Sequence, residues 1–148
     1  MALFASQEPV LARLRAGDLG LVNITQAASL DDMLASAQAD RSLYLILGPY
    51  APDPEVGGTR AWREIWVLVL ALKVVGKSDN LESLRHAAAP YINEIVGLLD
   101  QWRDAPESGD PAWLGPIDFV EGPRPMIRDG FGYFPLAYQV KSCTESRF

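Results

Sequence analysis

One cysteine and one histidine are present in 148 residues, and these two scarcities remove more chemistry than any other feature of the chain. Cys143 alone cannot build an intrachain disulfide framework or a cysteine zinc site, and His86 alone excludes most other metal-ligand sets and general-base designs. Basic residues are also in deficit, 13 against 19 acidic, giving a net charge of −6 and an isoelectric point near 4.7. Nucleic-acid binding by counterion release needs clustered Lys and Arg, and there is no such cluster, so no specific nucleic-acid partner is expected. Long apolar runs are missing too. The longest, Ile65 to Val75, is about half of the ~20 residues that span a bilayer, and its Val, Leu and Trp content reads as a strand, so no membrane partner is expected. Met1 to Gln7 lacks the basic region, long apolar stretch and small-residue cleavage site of an export signal, so the product is expected to stay in the cytoplasm where it is made.

Catalytic signatures are equally sparse. No Gly-x-Ser-x-Gly nucleophile elbow occurs, and Cys143 near the end of the chain is expected to be inert. Gly76-Lys77-Ser78 follows a strand and precedes a helix as a phosphate-binding loop would, but the first glycine such a loop needs is replaced by Ala71. It reads as a polar turn into a helix cap. His86, the chain's one histidine, reads as a surface or half-buried structural residue, and Asp31 and Asp32 fit a helix start, where the dipole favours negative charge. No catalytic, cofactor or metal residue is expected, and the chain does not read as an enzyme.

What is present is alternating and helical apolar patterning over nearly the whole length. A short helix is expected from Glu8 to Ala16, capped by Ser6 and ended by Gly17, then a strand at Leu19 to Ile24. Ser29 with Asp32 forms a capping-box pattern for a helix through Ala37, and Leu43 to Leu47 reads as a buried strand. Gly48 to Gly58 carries six Gly and Pro residues and reads as an irregular, exposed connection. Thr59 to Gly76 reads as one long strand with Trp62, Trp66, Leu68, Leu70, Leu72 and Val74 on one face and Ile65, Val67, Val69 and Val75 on the other. The helical spacing of Leu84, Ala88, Tyr91, Ile95, Leu98, Leu99 and Trp102 predicts a helix over 81–102, with a kink or restart at Pro90. Ile117 to Glu121 and Phe131 to Ser142 read as strands. In the second, Phe134, Leu136, Tyr138 and Val140 point inward, Tyr133, Gln139 and Lys141 point outward, and Pro135 marks an edge or bulge.

These elements predict a single α+β domain over 1–148: a mostly antiparallel sheet of four to five strands with helices packed on one face, the helix 81–102 being the main cover. A strand of roughly 17 residues at ~3.3 Å per residue would span about 56 Å, longer than the ~40 Å diameter of a compact chain of this size. Its Trp62 end is therefore expected to project, with the connection before it, as an arm at about 48–62. Apolar residues on both faces mean that the second face needs a cover, and another subunit is the cover inferred, the alternative being the N-terminal helices or the 104–130 loops of the same chain. Trp102 and Trp113, flanking the 104–111 loop, could serve in a core or an interface.

The order of these features resembles a known family. Leu11-Ala12-Arg13-Leu14 in a leading helix is followed by a strand and a Pro/Gly connection, and then by the long strand around Glu64-Ile65-Trp66-Val67-Leu68-Val69. A helix closing in Val96-Gly97-Leu98-Leu99-Asp100-Gln101-Trp102 and a final strand from Tyr133 to Val140 complete the pattern. In this it is similar to the tail-terminator proteins of long-tailed phages and Mu-like prophages. The resemblance implies a virion protein of the tail and neck, assembled in the host cytoplasm as a homohexameric ring. That ring sits on the last ring of tail tube protein, stops tube growth and offers a surface to the head-completion or neck protein. DNA would pass an acidic lumen without sticking. On that reading Asp53, Glu55, Arg60, Trp62, Arg63, Trp66 and Trp113 are candidates for subunit or tube contacts. Two other readings stay open: a head-closure or tail-completion adaptor of the neck, and a small ligand-binding α+β domain with a pocket between long helix and sheet.

Overall fold

The computed structural model describes residues 3–36, 38–53, 61–74, 81–104 and 111–143. The elements are helices α1 (Gln7–Ala16), α2 (Leu30–Ala35) and α3 (Leu81–Leu99) and strands β1 (Asn23–Gln26), β2 (Ser42–Pro52), β3 (Ala61–Lys73), β4 (Leu114–Val120), β5 (Met126–Arg128) and β6 (Phe131–Cys143). The strands form one sheet ordered β1-β2-β3-β6-β4, with β5 also pairing β6. Only β1 and β2 run parallel. The class is α+β as the pattern implies, but the sheet has six strands.

The extra strand comes from the Gly/Pro-rich stretch before β6. Asp129 and Gly130 both lie in the left-handed region, at φ 51° and 80°, which is the two-residue turn that joins antiparallel strands with the correct twist. Met126–Arg128 thus folds back onto Phe131–Tyr133. One side of β6 pairs β3 along its whole length, while the other meets β5 at 131–133 and β4 at 137–141. Pro135 falls in the gap between those two partners, where this side of β6 has no ladder to break.

Residue parity on β3 divides the interior. Trp66, Leu68, Leu70 and Leu72 join Leu43, Leu45, Phe134 and Tyr138 under α1 and α3, which contribute Leu11, Leu14, Leu84, Ala88, Ile95 and Leu99. On the opposite face Val69 and Ala71 cluster with Tyr44, Ile46 and Tyr133 against Met33 of α2. The helices are therefore not all on one face: α2 covers the second, helped by partly buried Leu34, Met126 and Phe131. Tyr133, expected outward, is buried there. This cover belongs to the same chain, and it takes away the main reason to demand a second subunit on that face; only Ile65 and Val67 along the middle of β3 stay partly open.

Several boundaries differ for identifiable reasons. Ser29 Oγ accepts from Asp32 N–H at 3.1 Å and starts α2 as its pattern implies, but the Ser6 side chain makes no cap bond and only its carbonyl receives Val10 N–H. α3 runs unbroken through Pro90 because both Pro90 and the carbonyl-bearing His86 one turn back face solvent, where water takes the freed acceptor. It stops at Leu99, short of Trp102, since Gln101 turns left-handed at φ 62° and directs residues 101–102 to hydrogen-bond Ile117 of β4. The Trp102 ring meets Trp113 edge-on at 4.8 Å, and the Arg13 guanidinium lies 4.4 Å above Trp102 while its Nε donates to the Leu98 carbonyl at 2.6 Å. A cation from α1 thereby caps the C-terminal end of α3.

β3 is 13 residues long, about 43 Å at 3.3 Å per residue, rather than 17. Residues 48–52, expected to be irregular, belong to β2, and Asp53 N–H still reaches the Ala61 carbonyl at 2.9 Å. What makes this possible is a bulge: Leu47 pairs Trp66 and Tyr50 pairs Glu64, three steps on β2 against two on β3. The remainder of the expected arm, 54–60, lies outside the described residues. A Cβ on Gly48 would stand 2.9 Å from the Ile65 carbonyl oxygen, a backbone atom that cannot swing away. Gly48→Ala is therefore expected to lower stability by about 2 kcal/mol, measurable by urea unfolding; a loss below a few tenths would mean the bulge relaxes freely.

Candidate functional site

The bulge decides what gathers at the far end of the sheet. Without the extra residue at Gly48-Pro49, Tyr50 would face the α2 side; with it, Tyr50 returns to the α1 side beside Trp62 and Glu64. A row of rings results. Trp66 meets Phe4 at 6.3 Å, Phe4 meets Tyr50 at 5.1 Å, and Tyr50 meets Trp62 at 6.2 Å between centroids. Tyr50 is 50% exposed, and Trp62 is half-buried.

Beneath the rings lies Glu64, 1% exposed. One carboxylate oxygen accepts from Trp66 Nε1–H at 3.0 Å, and the other accepts from Phe4 N–H at 3.0 Å and Ser142 Oγ–H at 2.6 Å. Three donors satisfy the anion without a cation among the described residues, joining the N-terminal segment, β3 and β6. Glu64 is not among the candidates that the sequence offers. The signal was its parity: an acid between Trp62 and Trp66 on the inward face must find donors.

On the opposite face of the same end, Lys141 Nζ lies 3.8 Å from the buried Asp53 carboxylate. Arg63 is exposed beside them with no ion pair among the described residues. The sequence candidates thus separate. Asp53, Trp62 and Arg63 come together at the sheet end, Trp66 and Trp113 are each 1% exposed within the core, and Glu55 and Arg60 lie outside the described residues.

Tyr138 packs in the helix-side core and its hydroxyl has no hydrogen-bond partner among the described residues. Burial, and then the negative charge of Glu64, push its titration far above the usual tyrosine range. The fold therefore favours the neutral phenol, a contribution complete below the unfolded value of ~10 and lost as pH rises above it. Thermal midpoints should fall steeply above about pH 10, and Tyr138→Phe should flatten that fall while leaving neutral-pH stability within about 1 kcal/mol. An unchanged alkaline profile in the variant would assign the loss to other groups.

No group of three His, Cys, Asp or Glu comes together among the described residues. A depression of about 330 Å³ lies between α3 and the end of β3, bordered by Lys73, Leu84 and Tyr91, but its carboxylate, Asp40, accepts the Lys73 backbone N–H and serves the fold.

Residues 1–146 match a family model described as phage tail terminator protein. In fold, the chain is similar to one in the solved virion of a native gene transfer agent particle, with a TM-score of 0.58, 16% identity, and coverage of 91% of this chain and 92% of that one. No curated protein matches.

Proposed function

The chain belongs to the phage tail terminator family, which makes it a structural protein of the phage tail, and from that premise we propose that it forms a ring on the last ring of tail tube subunits. There it stops tube polymerisation and presents the joining surface for the neck. Six copies are expected, with an acidic surface toward the lumen so that DNA slides past by charge repulsion. Asp53, Trp62 and Arg63 at the sheet end carry contacts to a neighbouring subunit or to the tube, with Glu55 and Arg60 from the adjoining segment. Trp66 and Trp113 support that surface from within.

The observation that carries the contact assignment is what the sheet end displays: a half-exposed Tyr50 and a half-buried Trp62 on one face, held in place by a buried three-donor carboxylate, and an exposed Arg63 on the other face with no ion pair among the described residues. Aromatic and arginine side chains on a rigid support are what protein interfaces enrich. Deleting the gene from its phage tests the reading. Over-long tails lacking heads are expected; tails of normal length with leaking heads would instead assign the protein to head closure.

A further inference from the structure

The contact between the N-terminal segment and the aromatic end of the sheet has the chemistry of a ligand in a site. Residues 3–6 form a turn ahead of α1, and within it Phe4 sits at φ 65°, the left-handed region that a residue with a Cβ avoids. In that posture its N–H reaches Glu64 and its ring enters the row between Tyr50 and Trp66. The receiving slot is built entirely by the sheet: Glu64 and Trp66 on β3, Tyr50 on β2, and Ser142 on β6, whose hydroxyl helps hold the carboxylate.

Two features set this seat apart from ordinary packing. The backbone is strained at the residue that fills the slot, and Ser6, two residues on, is buried with no hydrogen-bond partner for its hydroxyl among the described residues. The segment thus gains Glu64 and the rings but loses at Phe4 and Ser6. Short strained connections favour exchange between copies, because identical contacts can be made by the neighbour's segment once the connection straightens.

We propose that the slot of Tyr50, Glu64 and Trp66 is exchangeable, and that in the assembled protein it receives Phe4 of a second copy. The incoming residue donates its N–H to Glu64 and places its ring between Tyr50 and Trp66, as Phe4 does within one copy. The exchange rests on the ring assembly proposed above and names a contact by which neighbours hold each other.

Phe4→p-benzoylphenylalanine in the full chain provides the test. Unlabelled and nitrogen-15 copies are mixed in equal amounts, with and without tail tube protein, irradiated, and analysed by peptide mass spectrometry, while mass photometry reads the assembly state of the same samples. Light-to-heavy crosslinks from position 4 to peptides bearing Tyr50 or Trp66 are the expected result. Rings that yield only crosslinks within one copy, or none to these peptides, overturn exchange and leave the ring intact. Light-to-heavy crosslinks without rings support exchange and overturn the ring, whereas monomers crosslinked only internally overturn both. Should the bulkier side chain prevent folding, Tyr50→p-benzoylphenylalanine reads the same contact with Phe4 unchanged and the same outcomes apply.

Discussion

Replacing Glu64 by alanine is expected to lower stability by about 4 kcal/mol, because it strands three donors at once. Phe4 N–H, Trp66 Nε1–H and Ser142 Oγ–H all point at this carboxylate, and the site is closed to water. Leaving one buried donor unpaired costs roughly 1–3 kcal/mol, with part recovered where Ser142 rotates. At about 3 °C per kcal/mol for a chain of this size, the midpoint should drop by about 12 °C. Glu64→Gln keeps the shape and one acceptor oxygen but turns an amide toward the donors on the other side, so about half the loss is expected. Denaturant unfolding of the two variants decides the matter: an alanine variant within 1 kcal/mol of the parent would mean that Glu64 does not hold the sheet end together.

The second large effect concerns assembly rather than folding. Trp62→Ala combined with Arg63→Glu should leave stability within about 1.5 kcal/mol, since Trp62 is half-buried and Arg63 exposed. Interface anchors of these types each cost about 2 kcal/mol or more when removed, roughly 30-fold in affinity. Adjacent positions do not add fully, so a loss of at least about 100-fold in tube capping is expected from the pair. Tail lengths in electron micrographs of lysates carrying the double variant are the readout, and tails of normal length would remove the sheet end from the tube and subunit contacts. The Glu64 and Trp62/Arg63 variants should separate cleanly: the first unfolds more readily, and the second folds but fails to terminate.

The physical route to these expectations differs for the two residue sets. Trp62 and Arg63 are visible in the sequence as an aromatic and a cation at the start of an alternating strand. Glu64 shows in the sequence only as an acid of inward parity, its donors being set by packing, and Tyr50 becomes important only through pairing. Tyr50 owes its face to a single extra residue in β2, and nothing in Leu47-Gly48-Pro49-Tyr50 fixes how many residues of β3 lie opposite. A Gly-Pro pair marks irregularity and by itself implies the end of a strand. The sheet ladder shows that the strand continues.

Local patterns determined much of this protein. The 3.6-residue spacing of Leu84, Ala88, Ile95 and Leu99 specified α3, Ser29 and Asp32 specified the start of α2, and the alternation of β3 specified its two apolar faces, because each depends on neighbours a few residues apart. Tertiary structure alone decided which partner meets each face. That α2 would cover Val69 and Ala71, that Trp66 and Trp113 would be core, and that a glutamate would be anchored by Phe4 from 60 residues away follow from long-range packing and hydrogen-bond satisfaction, which leave no periodic trace in a linear sequence.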